Sequence, residues 1–391
     1  MLYGSDYMKK IYIFIVLLLV LCFISCYFFF NREKSFSMVM AGDTLVTYSI
    51  LKDGYNDQNK SYNFSKMFRY IKDYIKDYDL AYYNQETPIS GSDFPYWGSL
   101  CYNTPPHFAI DMFNVGFNMV SLANNHVLDG QYVYHDDKIN CINNTLGVIN
   151  SIKFWNKYPN IYVSGINESQ DNRDKIVVKE KNGIKYAMLS YTYGTNMDDL
   201  VEYDSYLVNV YSDEQAKKDI EKVRDKVDVL FVSMHWGEEN HFVPSNSQKK
   251  QAKYLASLGV DIIIGTHPHV IQPIEWIDDT LVIYSLGNLI TAQTSDYDYG
   301  RLVGMMVTLD IQKKNKKIFI NNVKCELTYN YYDEGRVNFL VIPFSYIVNY
   351  DSGNYLRLYE KYSKIVRMFD NDITINQIGT NNVKIETSEV E

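Results

Sequence analysis

The chain has 391 residues, of which 46% are hydrophobic and 22% charged, so it can bury a large core. This composition, with only 9 Pro and 20 Gly, excludes collagen-like, low-complexity and globally disordered proteins. The net charge of -9 has the wrong sign for general binding to nucleic acid, and we expect no nucleic-acid partner. An anionic ligand would have to be held locally, by a metal ion or by a few placed cations.

The first long apolar segment runs from Ile11 to Phe30 and contains no charged residue. About 20 such residues suffice to cross a bilayer as a helix. We therefore predict that residues 1–34 form a cytoplasmic stub and a single-pass transmembrane helix in the cell membrane, with the main domain extracellular. A lipoprotein signal ending at Cys26 is the alternative, but the apolar run continues beyond Cys26 and favours the uncleaved anchor.

Three cysteines follow this segment, namely Cys101, Cys141 and Cys325. At most one intramolecular disulfide can form among three thiols. None of the three has the spacing of a Cys/His metal site, and we predict that they are small buried apolar side chains.

Helical patterns alternate with short apolar runs along the rest of the chain. An apolar stripe predicts a helix from Ser65 to Tyr78, and Pro105 can open a second helix that ends near Gly116. Capping boxes at Ser212 and Ser245 begin two more helices. Strands are predicted in the runs DLAYYN, FNMVSLA, KYAMLSY, VDVLFVSM, DIIIG, TLVIYSL and RLVGMMVTLDI.

This alternation predicts an α/β fold in which helices cover mixed or parallel sheets. We predict one domain over residues 35–330 and a C-terminal extension over residues 331–391, with one helix and a polar tail.

Polar residues gather where the predicted strands end. A single histidine or aspartate in such a place is more often a turn residue, but ligand-type residues at five strand ends together indicate a binding site. The carboxyl ends of parallel strands meet at one edge of a sheet. Imidazole and carboxylate groups suit divalent Zn, Mn, Fe or Ni. The residues concerned are Asp43, Asn84, Glu86, Asn125, His126, His235, His267 and His269.

Several motifs resemble the bacterial capsule-synthesis protein CapA family, over the region from about Ser37 to about Leu309. That family includes the membrane-anchored component of poly-γ-glutamate synthesis and export. Its fold is similar to calcineurin-like metallophosphoesterases, so the resemblance implies a sandwich of mixed sheets flanked by helices. The motifs are GDT at 42–44, NQETPIS at 84–90, YNTPP at 102–106, LANNHVLD at 122–129, YTYGTN at 191–196, HWGEE at 235–239, GTHPHV at 265–270 and YSLGN at 284–288.

The resemblance also implies a metal site with one or two divalent ions, which would be Mn, Zn or Fe. In the phosphoesterase pattern the carboxylate after the second strand bridges two metals, a role that Glu86 would fill. The ligands of the first ion would be Asp43, Glu86 and His269, and those of the second Glu86, Asn125, His235 and His267.

Two further residues would have catalytic roles by this resemblance. His126 would act as general acid to the leaving group, and Glu239 would orient an imidazole or a substrate amine. The sequence departs from true phosphoesterases at Leu45, where they have a histidine ligand, and at Glu86, where they have aspartate. A mononuclear or non-catalytic site is therefore an alternative.

Two functions remain open from the sequence. The first is an anchored protein of capsule or poly-γ-glutamate-type polymer synthesis or export, whose partners would be the cell membrane, a membrane-embedded polymer synthase complex and an anionic polymer. The alternative is a metal-dependent hydrolase or transferase acting on a phosphoester or on a cell-wall or γ-glutamyl substrate. No residue chooses among these substrates.

Overall fold

A computed structural model describes residues 3–30, 34–129, 131–135, 138–142, 145–197, 205–293, 299–347 and 354–380. The helices in these ranges are α1 (Tyr3–Phe30), α2 (Tyr48–Gly54), α3 (Arg69–Ile75), α4 (His107–Val115), α5 (Thr145–Trp155), α6 (Gln170–Asp174), α7 (Asp213–Val223), α8 (Asn246–Ser257) and α9 (Asn354–Val366). Short 3-10 turns lie at Ser65–Phe68, Arg224–Lys226, Gly300–Leu302 and Phe344–Tyr346.

The strands up to residue 192 are β1 (Lys34–Thr44), β2 (Tyr55–Asn56), β3 (Ser61–Tyr62), β4 (Leu80–Asn84), β5 (Trp97–Ser99), β6 (Cys101–Asn103), β7 (Met119–Ser121), β8 (Gln131–His135), β9 (Lys138–Ile142), β10 (Tyr162–Ser164), β11 (Lys179–Lys181) and β12 (Ile184–Thr192). Those that follow are β13 (Val229–His235), β14 (Ile262–Thr266), β15 (Ile274–Ile277), β16 (Thr280–Ile283), β17 (Asn288–Ile290), β18 (Val303–Lys314), β19 (Lys317–Asp333), β20 (Val337–Pro343) and β21 (Thr374–Ile375).

Two mixed sheets make up the domain. The first has the strand order β10-β7-β4-β1-β18-β19-β20, with β17 beside β1 and β21 beside β19. Strands β10, β7, β4 and β1 run parallel, whereas β18, β19 and β20 are antiparallel. The second sheet has the order β11-β12-β13-β14-β16-β15 and is parallel from β12 to β16. The predicted α/β fold with mixed sheets is confirmed.

The two sheets pack face to face. Alternate residues of each strand point to opposite faces of its sheet, so one set of side chains from each sheet fills the space between them. Met38 and Met40 of β1 belong to the same buried cluster as Met188 and Phe231 of the second sheet. A buried hydrogen bond of 2.7 Å between the hydroxyls of Tyr82 and Ser233 also joins the sheets. The outer faces are covered by helices, with α3 and α4 on the first sheet and α7 and α8 on the second.

The helix boundaries follow local sequence signals in most places. Ser245 accepts a hydrogen bond from the backbone of Gln248 and completes a capping box at α8, as predicted. Gly116, at a φ of 125°, ends α4 as predicted, since glycine adopts this backbone conformation without strain. The helix predicted from Ser65 to Tyr78 is instead a 3-10 turn followed by α3, which ends at Ile75. Its predicted apolar stripe does face the core.

The predicted transmembrane helix is not confirmed. The N-terminal segment forms α1, whose described side chains, such as Ile13 and Phe23, are exposed. Among the helices of the described ranges, none meets the length and hydropathy that crossing a membrane requires. The alternative, a lipoprotein signal at Cys26, stays a prediction.

The prediction for the cysteines is wrong for two of the three. Cys101 on β6 and Cys141 on β9 form a disulfide, although 40 residues separate them in the sequence. The fold brings β6 beside the hairpin of β8 and β9, a long-range contact that has no local sequence signal. Cys325 is free and buried, as predicted.

The C-terminal segment belongs in part to the first sheet. The predicted boundary at residue 330 lies inside β19, and β20 continues the sheet beyond it. The one helix predicted for this segment is α9, whose apolar face packs on the core through Leu358 and Tyr362. Residues 381–391 of the predicted tail lie outside the described residues.

Candidate metal centre

The candidate site lies where the parallel strands of both sheets end. In the first sheet, Asp43 pairs with Asn84 across β1 and β4, and Asn84 pairs with Ser121 across β4 and β7. In the second, His235 at the end of β13 pairs with Thr266 at the end of β14. These registers place the loops that follow the strands at one edge, as predicted from the sequence.

A glycine lets the first of these strands approach its neighbour closely. A Cβ atom on Gly42 would lie 1.8 Å from the carbonyl oxygen of Gly287, so any other residue would clash with backbone. The same carbonyl accepts a hydrogen bond of 2.9 Å from the amide of Asp43. The backbone therefore fixes Asp43 at the floor of the site, where it is fully buried.

Two groups of buried side chains can each hold a metal ion, and they share Glu86. One consists of Asp43, Glu86 and His269, and the other of Glu86, His235 and His267. Within each group the candidate ligand atoms lie within 4.8 Å of one another. Glu86 thus lies where the family resemblance expects a bridging carboxylate.

Several separations between candidate ligand atoms are close to those around a bound ion. The Oε1 atom of Glu86 lies 3.5 Å from Nε2 of His269 and 3.7 Å from Nε2 of His235. The Oδ1 atom of Asn125 lies 2.9 Å from the same Nε2 of His235. Ligands bonded to one divalent ion at about 2.1 Å lie roughly 3.0–3.5 Å apart, so these atoms need little movement to bind it.

Glu86 is the least satisfied polar side chain of the site. Both of its carboxylate oxygens are buried, and neither has a hydrogen-bond partner among the described residues. Burial, reinforced by the charge of Asp43, raises the pKa of Glu86 well above its usual range. Burial likewise raises the pKa of Asp43 to about 7. Unpartnered buried carboxylates are costly, and a cation removes that cost.

The hydrogen-bond network sets the tautomer of His269 for metal binding. The amide nitrogen of Asn288 donates to the carbonyl oxygens of His269 and Arg301, at 3.1 and 3.0 Å. Its Oδ1 atom must therefore accept the third bond, of 3.0 Å, from Nδ1 of His269. This leaves the Nε2 lone pair of His269 free and facing Glu86.

His235 is fully buried and is held on both ring nitrogens. Its Nδ1 atom lies 3.0 Å from the hydroxyl of Thr266 and 3.3 Å from the amide nitrogen of Asn84. Because that amide nitrogen also donates to Asp43 at 2.7 Å, it acts as a donor to Nδ1 of His235, so Nε2 carries the ring proton and donates to Oδ1 of Asn125. Binding of an ion by Nε2 would require the ring to change tautomer, with Nδ1 then donating to the hydroxyl of Thr266. Burial, and then the neighbouring His267, lower the pKa of His235 well below its usual range, so the ring is neutral as a ligand must be.

His267 has a strained backbone and an unpartnered ring nitrogen. Its φ of 96° is rare for a residue with a side chain. The conformation directs its backbone amide to Oδ2 of Asp43, at 3.0 Å. The Nδ1 atom of His267 is buried without a partner in the part of the chain that the structure describes, and burial lowers the pKa of His267 to about 4. Strain of this kind is typical of functional sites.

His126 lies at the rim of the site and is held by an acidic neighbour. Its Nδ1 atom is 2.8 Å from Oδ2 of Asp129, and its ring packs edge-on against Tyr102 with centroids 4.7 Å apart. Only 13% of its side chain is exposed, whereas that of Asp129 is buried. The carboxylate orients the imidazole so that Nε2 is the atom available to a ligand.

Comparison with known proteins gives a family and several relatives. Residues 37–293 match the family model described as bacterial capsule synthesis protein PGA_cap. The chain belongs to this family. It is 26% identical over 309 residues to the capsule biosynthesis protein CapA of Bacillus anthracis, which covers 73% of this chain and 70% of that protein. It is 29% identical over 180 residues to the PGA biosynthesis protein CapA of Bacillus subtilis, covering 46% of this chain and 44% of that one.

A solved structure with a similar arrangement is the calcineurin-like phosphoesterase of Bacillus subtilis, at 14% identity and a TM-score of 0.44. The likeness covers 76% of this chain and 91% of that one. The family predicted from the motifs is confirmed by the family model and by the CapA relatives.

For this member of the PGA_cap family, the structure brings together the residues predicted as metal ligands, and their roles as ligands stay predictions. Leu45, where phosphoesterases have a histidine, is buried and contributes no ligand atom. The first group nevertheless has three candidate ligand residues without it.

Glu239 lies outside both metal groups of this PGA_cap domain. Its side chain is 44% exposed and its Oε2 atom is 3.3 Å from Nη2 of Arg301. The predicted contact of Glu239 with a site imidazole is not seen, and its role toward a substrate amine stays a prediction.

Sequence reasoning missed residues that support the ligands from behind. Asn288, Thr266 and Asp129 hold the imidazoles in place, and Tyr193 covers His267 with ring centroids 4.7 Å apart. All four lie within motifs of the family resemblance. The motifs therefore contained the signal, but their pairing depends on distant parts of the chain.

Proposed function

We propose that this protein acts in the synthesis or export of an anionic capsule polymer of the poly-γ-glutamate type, by means of a divalent metal centre. The observation that carries the proposal is the family match, because residues 37–293 contain every side chain of the centre. The names of the two CapA relatives, for capsule and PGA biosynthesis, support the same role.

The side chains of the site fit a divalent ion. Within the described ranges, Glu86 supplies two buried oxygens without partners, and His267 supplies a buried nitrogen without one. Neutral imidazoles with carboxylates suit Mn, Zn or Fe. A bound ion would supply a Lewis acid toward an oxygen of the substrate. Asn288 keeps the ring of His269 oriented, and Tyr193 covers the ring of His267.

We further propose that α1 attaches the protein to the cell membrane, with the domain on the outer side. The exposed side chains of α1 include Leu17, Leu19 and Leu21, and a freely dissolved helix would leave this apolar surface in water. The disulfide between Cys101 and Cys141 suits an oxidising compartment. Membrane fractionation with protease treatment of intact cells tests both points, and a domain that is soluble and protected from protease would contradict them.

A metal-dependent hydrolase or transferase is the second candidate, favoured by the contact of 2.8 Å between His126 and Asp129. In such an enzyme His126 would give a proton to the leaving group while Asp129 keeps its ring oriented. The substrate would be a phosphoester, a cell-wall group or a γ-glutamyl chain. If Asp129→Asn has a lower turnover than wild type at unchanged metal content, the result would support a catalytic role for His126. Equal turnover in the two proteins would argue against that role.

The polymer role is tested in the native cell. Deletion of the gene should remove the surface polymer, and the wild-type chain should restore it. The double variant His235→Ala/His267→Ala should not restore it although it reaches the same location. A chain whose residues 1–34 are replaced by an unrelated anchor should lose co-purification with membrane synthase subunits. Unchanged polymer after deletion would contradict the proposal.

A further inference from the structure

Arg301 is attached by its backbone to the metal centre. It lies in the 3-10 turn Gly300–Leu302, between β17 and β18. Its backbone carbonyl oxygen accepts a hydrogen bond of 3.0 Å from the side-chain amide nitrogen of Asn288. The same Asn288 accepts a bond of 3.0 Å from Nδ1 of His269. One asparagine therefore connects the turn that carries Arg301 to a predicted metal ligand.

The side chain of Arg301 is held in one orientation at the rim. Its Nε atom donates to Oδ1 of Asn240 at 2.6 Å, and its Nη2 atom donates to Oε2 of Glu239 at 3.3 Å. The backbone of Asn240 is itself fixed, because its N–H group donates to the carbonyl oxygen of Pro268 at 2.8 Å. Pro268 lies between His267 and His269. The guanidinium is thus positioned by the same two loops that present the imidazoles.

Arg301 retains unused hydrogen-bonding capacity. A guanidinium has five N–H donors, and the described residues engage two of them. The side chain is 19% exposed, so part of it faces solvent.

An anionic polymer needs such a cation. The chain has a net charge of -9, so its surface repels a polyanion in general. A carboxylate accepts two parallel hydrogen bonds from the planar guanidinium, which gives both attraction and orientation. Glu239 already contacts one side of this guanidinium, with Oε2 at 3.3 Å from Nη2, so an incoming carboxylate would compete with it.

We propose that Arg301 is the residue that recognises a carboxylate of the polymer beside the metal centre, with Glu239 as its internal competitor. This inference rests on the proposed function. It makes Arg301 a specificity-determining residue, because a neutral chain would gain nothing from it. It also gives Arg301 and Glu239 opposite effects on binding, which a merely structural ion pair would not produce.

The test is binding of a short γ-linked glutamate oligomer to the full chain in the presence of Mn²⁺. Arg301→Gln should weaken binding about tenfold or more, since it removes a charge-assisted hydrogen bond. Arg301→Lys should have an affinity between those of wild type and Arg301→Gln, because lysine keeps the positive charge and loses the pair of parallel guanidinium donors. Glu239→Gln should bind more tightly than wild type. Lys250→Gln, on the exposed face of α8, removes one positive charge elsewhere and should bind as wild type does.

Three controls make the outcomes distinct. Metal content and the unfolding midpoint should be equal in all variants, which excludes damage to the centre. The methyl ester of the oligomer should bind wild type and Arg301→Gln with equal weakness, because it lacks the carboxylate. Inorganic phosphate should compete only weakly with the oligomer.

Two results would overturn the inference and leave the proposed function standing. One is an Arg301→Gln variant that binds the oligomer as wild type does, while His235→Ala/His267→Ala loses binding. The other is a Glu239→Gln variant that weakens binding as much as Arg301→Gln, since the pair would then be structural. A wild-type chain that does not bind the oligomer, or that binds phosphate through Arg301 instead, would overturn both the inference and the γ-glutamyl polymer as substrate.

Discussion

Replacement of Glu86 by glutamine should stabilise the metal-free protein and weaken its response to metal. Glu86 buries two oxygens that have no hydrogen-bond partner. Glutamine has the same shape, carries no charge and can donate to the free Nε2 of His269, which lies 3.5 Å from the present Oε1. Pairing one of the two unsatisfied buried positions is worth about 1–3 kcal/mol, so Glu86→Gln should unfold at a higher denaturant concentration in chelator.

Metal should reverse part of this difference. At a free ion concentration roughly 100 times the Kd, a ligand that binds only the folded state stabilises it by about 2.7 kcal/mol. Loss of the shared carboxylate removes a ligand from both metal groups. If affinity falls tenfold, the gain at the same ion concentration drops to about 1.4 kcal/mol. The variant should therefore respond to metal by at least about 1 kcal/mol less than wild type.

The assay is urea unfolding of both proteins in chelator and in Mn²⁺. Glu238→Gln is the matched control, because Glu238 is 65% exposed and its replacement should change neither curve. A Glu86→Gln variant that is less stable than wild type in chelator, and that gains as much from Mn²⁺, would refute the reasoning. Glu86 would then be a structural residue.

Three further predictions concern the scaffold. Burial raises the pKa of Glu326 to about 7 from 4.5, so the folded state keeps a proton that the unfolded state releases. The free energy of unfolding should therefore fall by about 3 kcal/mol as pH rises across that interval, and Glu326→Gln should lack this part of the slope in urea titrations; equal slopes would contradict it. Cys101→Ser and Cys141→Ser should each cost about 4 kcal/mol under oxidising conditions, with no added loss in the double variant, because both remove one 40-residue cross-link; full additivity would contradict the pairing. Tyr82→Phe and Ser233→Ala should show a coupling of about 1 kcal/mol in a double-mutant cycle, since their hydroxyls share the bond of 2.7 Å between the sheets; zero coupling would mean that the bond contributes nothing.

The sequence predicts those parts of the fold that depend on neighbouring residues. Ser245 and Gln248 form their capping box, and Gly116 ends its helix, because each signal acts within one turn. The strand ends were predictable for a related reason. A buried strand followed by a polar loop is local, and parallel strands bring their carboxyl ends to one edge.

Long-range pairing is what the sequence could not give. The disulfide of Cys101 and Cys141 depends on two hairpins that meet only in the folded chain. The contact of Arg301 with Glu239 joins loops that are 62 residues apart. The tautomer of His269 likewise depends on Asn288, whose amide is fixed by two carbonyl groups. These contacts determine how the side chains of the site are oriented. A sequence motif identifies the residues of the site but does not show which distant residues they contact.

The most direct test of the account is the metal content of the full chain, purified without chelators, beside the double variant His235→Ala/His267→Ala. The two histidines belong to one of the two groups that share Glu86. We predict a stoichiometric divalent ion in the wild type. The double variant should be equally folded and should lack at least the ion that this group would hold. A folded wild-type chain that contains no ion and takes up neither added Mn²⁺ nor Zn²⁺ would contradict the metal centre.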